Sequence, residues 1–536
     1  CLLSRGLGDV YKRQALISLI PILLLFVLML GFKVASHKSA FITLVVTAAL
    51  AMWVAPAMGI VPEAYTSQSV YGLVGWSAVE GLLKAVFPIL IIILMAIFSY
   101  NILVASKAIE TIKSQFTSFT DDKGILVLMM VWGFGGLLEG MAGFGTAVAI
   151  PAAILIGLGF KPMFSALVAL LGNTVATGFG AVGVPVTTLC NEVAKGGVAT
   201  PETICTISTM AVVQLAPLFF LIPFAILMLT DKKAIVKNIV LSLWVGGISF
   251  GVQLLCAYYL GAETPAIIGS IAAIIAIVIY AKLFERKKKG NDTGNQTNTQ
   301  KFTLGETFKA WSVYIFILVF ILVSGPLCPP VNHFLKSHLT TTINIPIIGS
   351  TFKFGWISNA GLMLFLGSIV GGYIQGLSTR QLTVTLAQTV VNLRFTVITI
   401  ISLIALASVM NYIGMIAALA SGLVAISGTF YPFFAPLIGA IGTFVTGSDT
   451  SSNILFAKLQ ANVAHQLGMS PGTGTDWLVA SNTTGATGGK MISPQSIAIA
   501  TAACDMKGKD DAILKKALPY AALYIILGGL MVYFGI

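Results

Sequence analysis

Three ionisable residues sit in otherwise apolar stretches of this chain: Glu139 in LEGMAGFGTAVAI, Asp449 in TGSDTSSNILFAKLQ and Lys490 in GGKMISPQSIAIA. A lone charge away from water is expensive, so such groups are paired, neutralised or used. Glu139 and Asp449 are therefore candidate proton carriers; the plainer alternative is a structural role, accepting hydrogen bonds from the Gly and Ser backbone around them. Lys490 could neutralise an anionic solute or pair with Asp449. Near Asp449, the hydroxyls of Thr446, Ser448, Thr450, Ser451 and Ser452 outnumber what backbone repair requires. They either bind a polar solute or bond back to their own helix. Lys458 reads as a residue snorkelling at the mouth of this segment, and His465 as an interfacial residue.

Such groups need a scaffold that keeps them from water, and the composition supplies one. Of 536 residues, 57% are hydrophobic and 9% charged, with a mean hydropathy of +0.94. About a quarter of a soluble domain is charged, so this is a polytopic membrane protein. The six Cys show no CxxC or CxxxC spacing and there are four His, so neither a disulfide framework, a metal site nor a cofactor is expected. The formal charge of +12 comes from basic residues scattered between apolar runs. They read as topology determinants, not as a nucleic-acid footprint. A membrane enzyme would need His/Asp or Cys clusters, and a channel a pore ringed by like residues; both are weaker readings.

Runs suited to ~30 Å of hydrocarbon, charge-free but for Lys84, cover 15–32, 40–60, 81–104, 203–229, 238–257, 264–281, 310–324, 354–375, 395–418 and 518–533. Residues 1–14 (CLLSRGLGDVYKRQ) resemble a translated sequencing adaptor and are set aside. Two regions, 124–189 and 430–501, are apolar but broken repeatedly by Gly, Pro, Asn and Thr. If the basic linker at 285–301 is cytoplasmic, nearly every Lys and Arg between spans falls inside, and the opposite loops hold only Lys195, Lys336 and Lys353. That bookkeeping closes only if 124–160 and 430–467 are re-entrant hairpins from opposite sides, each followed by a broken crossing. The expected fold is an all-α polytopic membrane protein of about 12 transmembrane helices plus two re-entrant hairpins. It forms an inverted repeat, 15–229 and 310–536, joined by a helix pair and linker at 230–309.

Internal spacing supports the repeat. Asn173-Thr174 precedes Pro185 by twelve positions, and Asn482-Thr483 precedes Pro494 by twelve, an offset of 309 in both cases. Glu139 lies 34 residues before Asn173 and Asp449 lies 33 before Asn482. Every other acidic residue is assigned to a loop or a helix end. Secondary transporters place their site where discontinuous helices of two repeats meet near the midplane and turn N-terminal N–H groups toward an anion. Asn173, Thr174, Asn482 and Thr483 are accordingly expected at a common central site.

LEGMAGFGTAVAI (138–150), LGFKP (158–162), FGAVGVP (179–185), TGSDTSSNILFAKLQ (446–460) and GGKMISPQSIAIA (488–500) resemble the signature segments of the bacterial L-lactate permease family. The likeness runs from Ala15 to Ile536. It implies a proton-coupled importer of lactate, often also of glycolate, in the bacterial plasma membrane. It further implies kinship with ion transporters that have paired hairpins and an elevator-like movement. Under it, Ser448, Thr450, Ser451 and Ser452, with Asn482, Thr483 and Lys490, would read the carboxylate and hydroxyl of a 2-hydroxy acid. Gly143, Phe144, Gly145 and Thr146 form the equivalent tip of the first half, with Phe144 against the lactate methyl or the opposite hairpin. Val175-Ala176-Thr177-Gly178 departs from the family's Ala-Pro-Val-Ala, which leaves the preferred acid open, L-lactate, D-lactate or glycolate. The implied partners are a small monocarboxylate, a proton and the lipid bilayer, with no nucleic acid and with a homodimer left open. A sodium-coupled carboxylate symporter is the alternative, and an anion channel a weaker one.

Overall fold

Nine helices among the described residues are long and apolar enough to cross a bilayer, and two bent pairs raise the number to eleven. The computed structural model describes residues 2–536 except 118–119, 121, 142, 144, 195–196, 285–301, 325–327, 471 and 507–508. Three expected spans differ. The run 395–418 breaks at Gly414 (φ 89°), where the helix Arg394–Tyr412 gives way to a separate one, Met415–Ser427. The run 203–229 is a pair, Pro201–Gln214 and Ala216–Thr230, bent by 46°. The run 354–375 contributes only the helix Ala360–Ile374, because its first aromatics belong to an antiparallel hairpin, β1 (Thr340–Ile345) and β2 (Ser350–Gly355). Phe354 and Trp356 pack on Phe87 there, extending the apolar run without extending the helix.

The elements that build the site take labels in chain order. They are α1 (Val70–Lys84), α2 (Lys123–Met141), α3 (Thr146–Gly157), α4 (Pro162–Gly172) and α5 (Gly180–Val193). From the second half come α6 (Arg394–Tyr412), α7 (Tyr431–Thr446), α8 (Asp449–Gln466), α9 (Thr473–Lys490) and α10 (Pro494–Ala503).

Contacts between loops define two faces. On one, Ser106 meets Gln375, Gln115 donates to Thr307, and Lys237 pairs with Asp122. On the other, Gln14 donates to the Met58 carbonyl, the Tyr65 hydroxyl to that of Ile348, and Asn191, Gly261, Lys336 and Lys353 line one cavity. The first face carries most of the basic loops and is called the lysine-rich face below. The pair α2 and α3 starts and ends there, at Asp122 and Phe160. The pair α7 and α8 ends at the opposite face, where Gln466 donates to Ala417 and Ser421. Twelve residues of α3 rise about 18 Å, too short to cross ~30 Å. The tips of both pairs line one interior cavity, so the two helical hairpins approach it from opposite faces.

Glycine allows this close assembly. α7 and α9 pack backbone to backbone, since a Cβ on Gly485 would stand 1.6 Å from the Pro436 carbonyl oxygen and one on Gly489 2.2 Å from that of Ala440. With lipid as apolar as the side chains, such small-residue contacts and buried hydrogen bonds hold membrane helices together. We predict that Gly485→Ala lowers the thermal stability of the detergent-solubilised protein by at least ~2 kcal/mol, or prevents its isolation. Gly157→Ala, whose Cβ would meet nothing within 4 Å, is the matched control and stays within ~0.5 kcal/mol of the parent. Equal melting temperatures for the two variants would contradict this packing.

Candidate functional site at the hairpin tips

Where α2 turns into α3 and α7 into α8, each return helix starts inside the protein. Gly447 (φ 71°) joins α7 to Ser448, which caps α8 by accepting from the Ser451 N–H at 3.2 Å. A Cβ on Gly447 would lie 2.0 Å from Gln495 Oε1, so glycine is required for both its backbone angle and the approach of α10. α3 starts at Thr146 after Gly145, and α10 starts at Pro494 after the cap Ser493. Three helix N-termini thus converge, each with N–H groups that lack intrahelical partners and a positive dipole end. Across from them α5 is unwound, with Ala181 and Val182 at φ 44° and 58°. Such angles in residues with a Cβ are strained and recur at ligand sites.

The cavity between these ends measures about 70 Å³. At ~10–15 Å³ per water it holds several waters or one small solute. Its charged residues are Glu139, Asp449 and Lys490, all buried. Lys490 Nζ donates to Glu139 Oε1 at 2.6 Å, joining the end of α9 to α2. Asp449 has no cation at this range among the described residues. Its carboxylate accepts only from the Thr483 hydroxyl, at 3.3 Å and 3.4 Å. The pairing of Lys490 with Asp449 that its sequence position allowed is thus taken by Glu139.

Gly143, Gly145, Ser448 and Thr450 also line this cavity. Phe144 lies outside the described residues, as does the side chain of Thr146. Ser451 faces a larger vestibule instead, about 550 Å³, between Met29–His37, Phe395–Ile400 and the second tip. Ser448 and Gln495 border both spaces, so the cavity adjoins a vestibule on the lysine-rich face. Ser452 donates to the Gly439 carbonyl, and Thr174 to that of Leu171, both satisfying backbone.

Neither Asn173 nor Asn482 borders the cavity. Asn482 donates to Asn453, which donates to Thr483 and the Pro185 carbonyl; Gln460 donates to Asn482 and accepts from Tyr431. This neutral network ties α7, α8, α9 and α5 together behind the site. Asn173 is buried at the end of α4 with neither amide atom hydrogen-bonded. Thr177, in the stretch that departs from the family pattern, lines the cavity, as do Gly180, Gln495, Ser496 and Ile499, which escaped the sequence reading. The signal for Gln495 and Ser496 was present in Ser493-Pro494, a cap followed by Pro at the first helical position.

Two sequence assignments need correction. Glu139 and Asp449 are not the only carboxylates inside the helical body, because Glu80 in α1 and Glu192 in α5 are also buried. Lys458 does not snorkel: it is buried and lies 3.1 Å from Glu192. Glu80, Glu192 and Lys458 each have an oppositely charged partner on another helix or one turn away, which a scan for charge-free runs passes over.

Residues 14–535 match a family model described as L-lactate permease. The chain is 37% identical to the L-lactate permease of Streptococcus iniae, over 85% of this chain and 92% of that one. It is 32% identical to the glycolate permease GlcA of Escherichia coli strain K12, over 97% and 95% respectively. Among solved structures it is similar to the YdaH transporter of Alcanivorax borkumensis, with 11% identity, 92% and 97% coverage and a TM-score of 0.48.

One consequence concerns the room left for Glu139. A Cβ on Gly180 would lie 2.8 Å from Glu139 Oε1, the atom that receives Lys490. We predict that Gly180→Ala displaces this carboxylate and weakens binding of the transported solute by about tenfold or more, ~1.4 kcal/mol, in a tryptophan-fluorescence or calorimetric titration. Parental affinity in a folded Gly180→Ala protein would show that the pair does not shape the site.

Proposed function

Because the chain belongs to the L-lactate permease family, whose members are multi-pass carriers of the bacterial inner membrane and not enzymes, we propose that it carries lactate or glycolate across the membrane together with a proton. The observation that supports this best is the convergence of Lys490 and three helix N-termini on a small cavity that also holds two carboxylates. Lys490 and the N-termini suit a carboxylate, while Thr450, Thr177 and Ser496 suit a 2-hydroxyl. The small volume disfavours a dicarboxylate. The lysine-rich face is the cytoplasmic one on this reading, and uptake ends in the vestibule beside Ser448 and Ser451.

Charge arithmetic supports proton coupling. With Glu139 and Asp449 ionised and Lys490 charged, the empty site carries one net negative charge. An arriving monocarboxylate would double that charge away from water, at high cost. A proton taken up with the anion leaves the loaded site at the empty site's charge, so anion and proton bind best together. Asp449 is the carrier on this reading, because the direct contact of Lys490 goes to Glu139 and no described cation pairs with Asp449 within 4 Å. Glu139 is the alternative if the solute takes Lys490. Sodium has weaker support: the hydroxyls of Thr446 and Ser452, which would suit it, do not line the central cavity.

The test is uptake of labelled lactate, glycolate and a dicarboxylate into proteoliposomes under an imposed pH or sodium gradient. We expect saturable lactate and glycolate uptake driven by the pH gradient. Asp449→Asn should abolish gradient-driven accumulation while sparing lactate exchange between the two sides. Full accumulation in both Asp449→Asn and Glu139→Gln would place the proton elsewhere, and accumulation driven by sodium alone would replace the coupling ion.

A further inference from the structure

A second group of buried charges lies outside the central cavity, on the side away from the lysine-rich face. Glu80 and Lys84, one turn apart on α1, pair at 3.2 Å, and Tyr412 at the end of α6 donates to Glu80 Oε1 at 2.9 Å. From the other part of the molecule come Glu192 on α5 and Lys458 on α8, 3.1 Å apart, with Lys458 Nζ 6.0 Å from the Tyr412 ring centre. All four charged residues are nine-tenths or more buried. Lys84, Glu192 and Lys458 border a cavity of about 280 Å³, four times the central one, together with Asn411, Tyr412, Asn462 and His465, while Glu80 joins the group through Lys84 and Tyr412.

The pairing here is incomplete. Glu192 Oε2 faces Lys458 outside hydrogen-bond geometry, and Glu80 Oε2 likewise has no hydrogen-bond donor, although both atoms are buried. A purely structural pair would be expected to satisfy its oxygens, because a buried unpaired acceptor is costly. Lys458 also stands nine residues along α8 from Asp449, about 13.5 Å at 1.5 Å per residue, on the helix whose N-terminus faces the central cavity. Between Asp449 and Lys458 on α8, Asn453, fully buried, donates to the Pro185 carbonyl and to Thr483. The central cavity shares no lining residue with the larger one, while it shares Ser448 and Gln495 with the vestibule on the other side.

We propose that Lys458 and its cavity form an outer station for the substrate carboxylate, where the anion takes Lys458 from Glu192 before it reaches the central site. The station deepens the monocarboxylate reading above and rests on it. Two lysines and two glutamates give it no net charge, so it holds an anion weakly. A station on a path must be weak enough to release its cargo. Its effect is on access from one side, and equilibrium binding at the tips is set by Lys490 instead. The released Glu192 shares the cavity with Lys84, whose stem packs against Gly197 in the loop after α5; a Cβ there would lie 2.2 Å from Lys84 Cε.

The test compares lactate uptake in right-side-out and inside-out membrane vesicles. With the lysine-rich face cytoplasmic, Lys458→Gln should raise the KM about tenfold in right-side-out vesicles, the worth of one charge-assisted contact, and change it little in inside-out ones. Lys458→Arg should recover most of this. Glu192→Gln should lower the right-side-out KM, because the amide no longer competes for Lys458. A salt bridge that only braced the fold would show the opposite pattern, with Lys458→Gln and Glu192→Gln both raising KM equally in the two orientations, or leaving it unchanged; either result overturns the proposal. Lactate titration of detergent-solubilised Lys458→Gln should give the parental central affinity, and a tenfold loss there would overturn it too. Lys490→Gln separates the two readings. It should abolish uptake in both orientations, and normal uptake by that variant would remove the central site without bearing on the sidedness of the Lys458 effect.

Discussion

The ion pair between Lys490 and Glu139 is the contact on which the rest of the site depends. It joins residues 351 positions apart, at the end of α9 in the second half and near the first tip. Removing two charges from water costs several kcal/mol per ion, and the pair recovers this only with good geometry and little competing solvent. The 2.6 Å separation and burial of both partners meet that condition. The convergence of α3, α8 and α10 places positive helix ends around the same space, so the pair sits where an added negative charge is tolerated. Broken helices are what make this convergence available. A continuous helix satisfies its own backbone, and only an interrupted one can turn N–H groups toward a solute within the bilayer.

Backbone geometry carries the next part of the account. Glycine at 447 and 180 lets α10 and the Glu139 carboxylate approach closer than any Cβ allows. The left-handed turn at Ala181-Val182-Gly183 is different, because two of its three residues carry a Cβ and are strained there. The surrounding helices must enforce that conformation. Asn453 helps, since its amide holds the Pro185 carbonyl just beyond the turn, linking α8 to α5. The neutral amide network of Asn453, Asn482 and Gln460 thus acts as framework, and the charged groups beside it remain available to the solute.

Much of this was legible in the sequence, for physical reasons. Hydropathy found the helical body because a bilayer imposes one length scale, and lysine bias separated the two faces. The broken regions announced the hairpins, since Gly, Pro, Asn and Thr accumulate where helices must end inside the protein. The 309-residue offset paired Asn173 with Asn482, but neither lines the cavity: Asn173 caps the end of α4 and Asn482 lies within α9. Amide side chains at helix breaks serve either solute or backbone, and composition alone does not distinguish the two. Glu80 and Lys84 were one turn apart on a helix, the spacing of an ion pair, which is why two charges could lie within a span that reads as apolar. Glu192 and Lys458 gave no comparable signal, since their pairing spans two distant helices. The β hairpin at 340–355 was hidden by its aromatic residues, which lengthen an apolar run as helix residues would.

The internal offset also shows where the halves stop being alike. It pairs Pro185 with Pro494 and Gly180 with Gly489, but it sets Ala181 against Lys490. Both of the last two residues border the central cavity, so one half supplies a cation where the other supplies a methyl group. This asymmetry has an electrostatic rationale. Two lysines beside Glu139 and Asp449 would make the empty site neutral and leave a cation able to receive an anion without any proton. A carrier built that way would move its anion uncoupled. With one lysine, already committed to Glu139, no spare positive charge awaits the anion and one carboxylate stays without a cation. Loading then favours simultaneous protonation, because the alternative gathers two uncompensated negative charges in a space of about 70 Å³. Broken helices from both halves build the cavity, and on the proton-coupled reading proposed above the lone lysine suits it to coupling.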